Sequence, residues 1–152
     1  KLRIITETHD FSMNQAKVVN QRKQQYTKRI INSRLKRSQK LINLFKKLKK
    51  DGYKLACCSN SVRATVEKVL GKLGLTKEIE FYLCAEDCAP KPNPMIYLEA
   101  IKRFKIRSKE ALILEDSKEG LKAARGSGGR VMKITNLRET NYKNIVNQIL
   151  KY

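Results

Sequence analysis

From residue 53 onward the sequence alternates short apolar runs with stretches of helical period, and no other feature restricts the fold as much. "YKLACC" is a nearly continuous apolar run of strand length. Such runs belong to strands covered on both faces, as in parallel sheets, because a strand with one wet face alternates apolar and polar residues instead. "SVRATVEKVLGKLGL" follows, with Val62, Val66, Val69, Leu70 and Leu73 at helical spacing. The pattern continues through "IEFYLCA", "NPMIYLEAIKRF", "EALILED", "KEGLKAARGSG" and "RVMKIT", and closes on the helical "NYKNIVNQILKY". Strands are thus expected near residues 53–58, 79–84, 111–114 and 130–134, joined by helices. Right-handed crossovers of this kind predict an α/β fold with a parallel sheet between helical layers.

Residues 12–50 contain no proline and read as helical. Ser38 is expected to cap "QKLINLFKKLKK", whose Leu41, Leu44, Phe45 and Leu48 form one apolar stripe, and Gly52 to end that helix in the left-handed conformation. "QAKVVNQRKQQYTKRIINSRL" is a second, more polar helical stretch. Charge concentrates here: the first 50 residues carry 15 Lys/Arg against two Asp/Glu, within a net charge of +20 for all 152 residues. An excess of this size attracts polyanions and phosphorylated substrates. The lysines of the capped helix fall opposite its apolar stripe, however, which is the pattern of a solvated face. Only Phe11, Tyr26 and Phe45 interleave with the basic residues, too few to favour nucleic acid as the partner.

No apolar run approaches the roughly 20 residues needed to span a bilayer, and the N-terminus has no signal-peptide core, so a cytoplasmic protein without a membrane partner is expected. The four cysteines fit that compartment. Cys57 and Cys58 are adjacent on an expected strand and point to opposite faces, so one ion does not suit both. Cys84 and Cys88 supply half a zinc site, and the single His9 is distant in sequence. Reduced, mostly buried thiols are expected.

Ligands of open parallel sheets bind beyond the carboxyl ends of the strands, which turns the strand list into a site list. The first strand ends at Ser59 and Asn60, the second near Glu86 and Asp87 with Lys91 soon after, and the third at Glu115 and Asp116. A hydroxyl, an amide, an ammonium and two adjacent carboxylates suit a phosphate together with a divalent metal such as Mg²⁺. Each element has a plainer reading: a serine or acidic residue after a strand often caps a helix, and an exposed lysine only solubilises. The convergence of three strand ends on one chemistry favours the site.

In these stretches the sequence resembles the haloacid dehalogenase (HAD) superfamily, specifically its β-phosphoglucomutase-like phosphatases. "YKLACCSNS" is similar to the family's second motif, which implies Ser59 as the phosphate-binding hydroxyl with Asn60 beside it. "KPNPMIYLEAI" resembles the third, with Lys91 as the charge-neutralising lysine. "ALILEDSKEGLKAARGSG" resembles the fourth, with Asp116 as metal ligand and Glu115 supporting it. Ser59 and Lys91 are then the catalytic residues of this segment, Ser59, Asn60 and Lys91 its phosphate or substrate ligands, and Asp116 and Glu115 its metal residues. The resemblance implies a parallel-sheet, Rossmann-like core over residues 37–152, preceded by a partial helical cap over residues 1–36. It implies a Mg²⁺-dependent phosphohydrolase or phosphomutase acting on a small phosphorylated substrate through an aspartyl-phosphate.

The departure from the family pattern bears on that expectation. The family's nucleophile is the first aspartate of an Asp-x-Asp motif that ends a strand preceding the cap. No apolar strand followed by Asp-x-Asp-Gly occurs in this chain. That strand plus a complete cap needs roughly 80 residues, and only 58 precede Ser59. The chain therefore reads as cut within the cap, without the strand the family sets between those ending at Ser59 and Asp116. "LRIITETHD", which could form a short strand ending at Glu7, His9 and Asp10, is a poor match to the motif, and the plainer reading of His9 and Asp10 is a polar loop opening a cap helix. Two further readings stay open: a non-catalytic descendant that binds phosphorylated ligands or nucleic acid through its basic surface, and a chain completed by another polypeptide carrying the absent strand.

Overall fold

The computed structural model describes residues 12–151. The expected short strand through Glu7, His9 and Asp10 lies outside these residues. Contacts divide the chain into two compact units, Lys1–Arg37 and Ser38–Tyr152.

The described part of the first unit is one helix, α1 (Met13–Arg34), opened by a capping box. The Gln15 amide donates to Ser12 Oγ at 3.3 Å, and the Ser12 amide donates to Gln15 Oε1 at 2.8 Å. Two amides at the helix start, which have no intrahelical acceptor, are satisfied this way.

The second unit opens with α2 (Gln39–Lys50), capped by Ser38, whose hydroxyl accepts from the Leu41 amide at 3.3 Å. Gly52 follows at φ 88°, a conformation that favours glycine. The order is then β1 (Ala56–Cys58), α3 (Arg63–Leu73), β2 (Phe81–Leu83), α4 (Met95–Phe104), β3 (Leu112–Glu115), α5 (Lys118–Gly126), β4 (Arg130–Lys133) and α6 (Tyr142–Leu150). Short 3₁₀ turns at Ser108–Glu110 and Leu137–Glu139 precede β3 and α6.

Alternation along the strands divides the core. Ile113 joins one cluster with Ile96, Tyr97 and Ala100 of α4 and Ala123 and Ala124 of α5. Its neighbours Leu112 and Leu114 pack on the opposite side, with Leu44 and Leu48 of α2 and Ile145 of α6. Cys57 and Cys58 divide in the same way, Cys57 towards Ile42, Val66 and Leu70, and Cys58 towards the α4–α5 cluster. This is the helix–sheet–helix layering that the apolar runs predict.

The strands run parallel within their pairs, but the single sheet is not observed. β1 pairs with β2, from Ala56 opposite Phe81 to Cys58 opposite Leu83. β3 pairs with β4, from Leu112 opposite Arg130 to Glu115 opposite Lys133. These are two separate two-stranded sheets, with no pairing between β1 and β3 among the described residues. Ala56 and Cys58 line a cavity of about 540 Å³ together with Leu112, Ile113, Leu114 and Glu115.

Candidate phosphate-binding site

Lys91 sits on the loop between β2 and α4, and its side chain is only 9% exposed. A buried ammonium requires partners for its charge and its three N–H groups. Nζ donates to the carbonyl of Cys58, the last residue of β1, at 3.1 Å. It forms an ion pair with Oε1 of Glu115, the last residue of β3. The ammonium also lies 4.7 Å from the centre of the Tyr97 ring, a cation–π distance.

Glu115 is 8% exposed and fully engaged. Oε1 accepts from Lys91 Nζ and the Tyr97 hydroxyl, and Oε2 accepts from Ser117 Oγ at 3.3 Å. Burial by itself raises the carboxyl's pKa, but the hydrogen bonds from Lys91 and Tyr97 outweigh it and hold Glu115 below its ordinary value. Ser117 also caps α5 by accepting from the Gly120 amide at 3.0 Å. Gly120 is there for space: a Cβ at this position would overlap the Glu115 carboxylate.

Ser59 directly follows β1. Its hydroxyl accepts from the Ser61 amide at 3.1 Å, which leaves the O–H free to donate. It does not cap α3. That role falls to Glu86, whose two carboxylate oxygens accept from the Arg63 amide at 2.9 and 3.1 Å. Asp87 Oδ2 accepts from the Cys84 amide at 2.7 Å and Oδ1 pairs with Arg63, so the acidic pair after β2 is structural. Asn60 faces Lys91: its carboxamide bonds the Lys91 backbone at both the N–H and the carbonyl.

Asp116 is exposed, and its carboxylate makes no hydrogen bond or ion pair among the described residues. A hard divalent cation needs six or more oxygen ligands, and Asp116 fits as one of them. Glu115 does not fit as a direct ligand in this arrangement, because both of its oxygens are taken. Among the described residues no three His, Cys, Asp or Glu side chains gather to hold a metal. The cysteines supply none of this chemistry. Burial pushes the Cys58 thiol up to about 12 and Cys84 up to about 11, so both stay protonated and weakly nucleophilic.

The structure therefore brings Ser59, Asn60, Lys91 and Glu115 together at the carboxyl ends of β1 and β3, with Asp116 next in sequence. Sequence reasoning missed Tyr97, which reads as one more apolar position on the inner face of α4. The available signal was its hydroxyl, since a buried tyrosine O–H takes a hydrogen-bond partner.

Known proteins share this arrangement of elements. A riboflavin kinase/FMN phosphatase from Arabidopsis thaliana is 32% identical over 114 residues, covering 70% of this chain and 30% of that protein. A β-phosphoglucomutase from Clostridium difficile superposes with a TM-score of 0.74 at 18% identity, over 99% of this chain and 74% of that one. CbbY from Rhodobacter sphaeroides, solved in complex with phosphate, is 28% identical with a TM-score of 0.56, covering 61% of this chain and 43% of that one. The chain spans 29% to 39% of the length of the curated relatives it matches. The model of the haloacid dehalogenase-like hydrolases matches residues 2–134, seven-eighths of the sequence, and the chain belongs to that family.

Proposed function

We propose that the carboxyl ends of β1 and β3 form the phosphate-binding half of a phosphohydrolase or phosphomutase acting on a small phosphorylated substrate. The observation that carries this reading is the buried Lys91 ammonium, bonded to the Cys58 carbonyl and to Glu115 at the end of β1, where Ser59 is the next residue. Two N–H groups of Lys91 have protein partners, and the third remains for a phosphoryl oxygen. Ser59 O–H donates to a second oxygen. Glu115 pairs with the Lys91 ammonium and aims it, and Asn60 holds the loop that carries it. Asp116 would contribute one carboxylate to Mg²⁺, the usual ion of the family, which when bound polarises the phosphoryl group. The names of the relatives, an FMN phosphatase and a phosphoglucomutase, support the reaction class.

No described residue supplies the attacking carboxylate. We assign its entry to a strand filling the cavity between β1 and β3, whose carboxyl end would emerge beside Ser59 and Lys91. That strand comes from the same polypeptide or from another one. The binding half is tested by calorimetry with inorganic phosphate and tungstate. Lys91→Ala is expected to weaken binding by about 1.5–3 kcal/mol, the value of a charge-assisted hydrogen bond. Equal affinity with and without Lys91 overturns the reading.

A second reading is favoured by one observation, the excess of 15 Lys/Arg over two Asp/Glu in residues 1–50. In it the chain is a non-catalytic relative that binds phosphorylated ligands or nucleic acid through this basic surface. Its mark is an affinity for DNA or RNA that falls steeply with salt, because phosphate contacts release counterions.

A further inference from the structure

Asn60 was expected to donate to phosphate, yet its carboxamide is committed elsewhere. Oδ1 accepts from the Lys91 amide at 2.9 Å, and Nδ2 donates to the Lys91 carbonyl at 3.2 Å. The two contacts fix the orientation of the carboxamide, since only oxygen can face the N–H and only nitrogen the carbonyl. Lys91 Nζ reaches back to the Cys58 carbonyl at 3.1 Å. Cys58 and Asn60 thus grip Lys91 at its ammonium, its amide and its carbonyl, across 33 and 31 positions of sequence.

We propose that Asn60 is a positioning residue, which fixes the Lys91 ammonium for an oxyanion and does not itself bind the anion. The inference rests on the phosphate-binding reading above and deepens it. A lysine side chain has four rotatable bonds and a large rotamer entropy. Holding its Cα by both backbone groups confines the cone that Nζ explores, so that Cys58 and Glu115 select one position within it. A ligand role makes a different demand: Asn60 would have to turn its Nδ2 from the Lys91 carbonyl to the anion, leaving that carbonyl unpaired in a half-buried loop.

A double-mutant cycle separates the two roles, with inorganic phosphate and tungstate as probes. With Lys91 present, Asn60→Ala is expected to raise the anion's dissociation constant about tenfold, one decade of affinity. In the Lys91→Ala background the same change is expected to have almost no effect. Asn60→Asp, which still accepts from the amide but cannot donate to the carbonyl, is expected to fall between. Additive losses, or no loss from Asn60→Ala with Lys91 present, overturn the proposal. Hydrogen exchange of the Lys91 amide tests the clamp without any ligand. Its protection is expected in the unsubstituted chain and is lost in Asn60→Ala, and an amide that exchanges equally fast in both overturns the clamp. A chain that binds neither probe while the Lys91 amide stays protected refutes the phosphate-binding reading and leaves the clamp supported.

Discussion

Lys91 and Glu115 form a buried ion pair, 9% and 8% exposed, between a loop lysine and the last residue of β3. Because Lys91 also holds the Cys58 carbonyl at the end of β1, this pair ties together two half-sheets that share no strand pairing among the described residues. The tie is structural, and it fixes the Lys91 ammonium at the carboxyl end of β1.

Removing one partner leaves the other as an uncompensated buried charge, which typically costs 3–5 kcal/mol, in excess of what the pair itself contributes. Lys91→Ala is therefore expected to lower unfolding stability by about that amount at neutral pH. Lys91→Met combined with Glu115→Gln, which removes both charges, is expected to recover most of it. Urea unfolding of the unsubstituted chain and of the two variants decides the matter. A double variant as unstable as Lys91→Ala would show that the charge is not the cause.

The depressed pKa of Glu115 has a defined consequence for stability. The unfolded chain takes up the proton near the ordinary value of 4.5, before the folded chain does. The contribution of Glu115 is thus complete above that pH and drains away as the pH falls through the lower folded value. Unfolding free energies measured between pH 3 and 7 are expected to drop on the acid side, and less steeply in Glu115→Gln. Parallel curves for the two proteins would remove Glu115 as the source.

Two glycines respond to alanine in opposite ways. At Gly120 the added methyl overlaps the Glu115 carboxylate. Gly120→Ala should cost roughly 1.5–3 kcal/mol for each charged hydrogen bond it displaces, and weaken phosphate binding with it. Gly71, in α3, has nothing within 4 Å of where its Cβ would stand. Gly71→Ala should stabilise by about 0.5–1 kcal/mol, because alanine loses less backbone entropy in a helix. Thermal unfolding with equal shifts in the two variants would contradict the packing at Gly120.

The 152-residue chain is expected to hold anions without turning over phosphate esters. In the proposed site Ser59 and Lys91 would hold phosphoryl oxygens, and neither is the attacking carboxylate that an aspartyl-phosphate requires. Among the described residues the facing edges of β1 and β3 have no strand pairing, and each buried backbone group left unpaired costs roughly 1–3 kcal/mol. Edges left open in this way favour association between copies of the chain. Thermal unfolding and an aryl phosphate assay with and without Mg²⁺ measure both. A cooperative transition with Mg²⁺-dependent turnover would show that the chain carries its own nucleophile, and Asp10 is then the first residue to substitute.

What the sequence determined by itself was local. Period separates strand from helix, so the alternation after residue 53 predicts all four observed strands to within a few residues. Capping chemistry is local too, and Ser38 and Gly52 bound α2 as their residue types demand. The divergence of Cys57 and Cys58 to opposite layers follows from the two-residue repeat of any strand. That Ser59 and Asp116 directly follow β1 and β3 was likewise legible from the strand list.

Tertiary structure decided which groups meet and which are spent. Asn60 and Lys91 lie 31 positions apart, and Tyr97 and Glu115 lie 18 apart. No local pattern encodes these pairs, because packing of α4 against the strands sets their distances. The same packing separates β1 from β3 across the cavity and converts Glu115 from an expected metal residue into the counter-charge of a lysine. Periodicity records which face of an element is apolar. Hydrogen-bond partners of buried polar groups depend on how those faces are brought together, and only the folded chain contains that information.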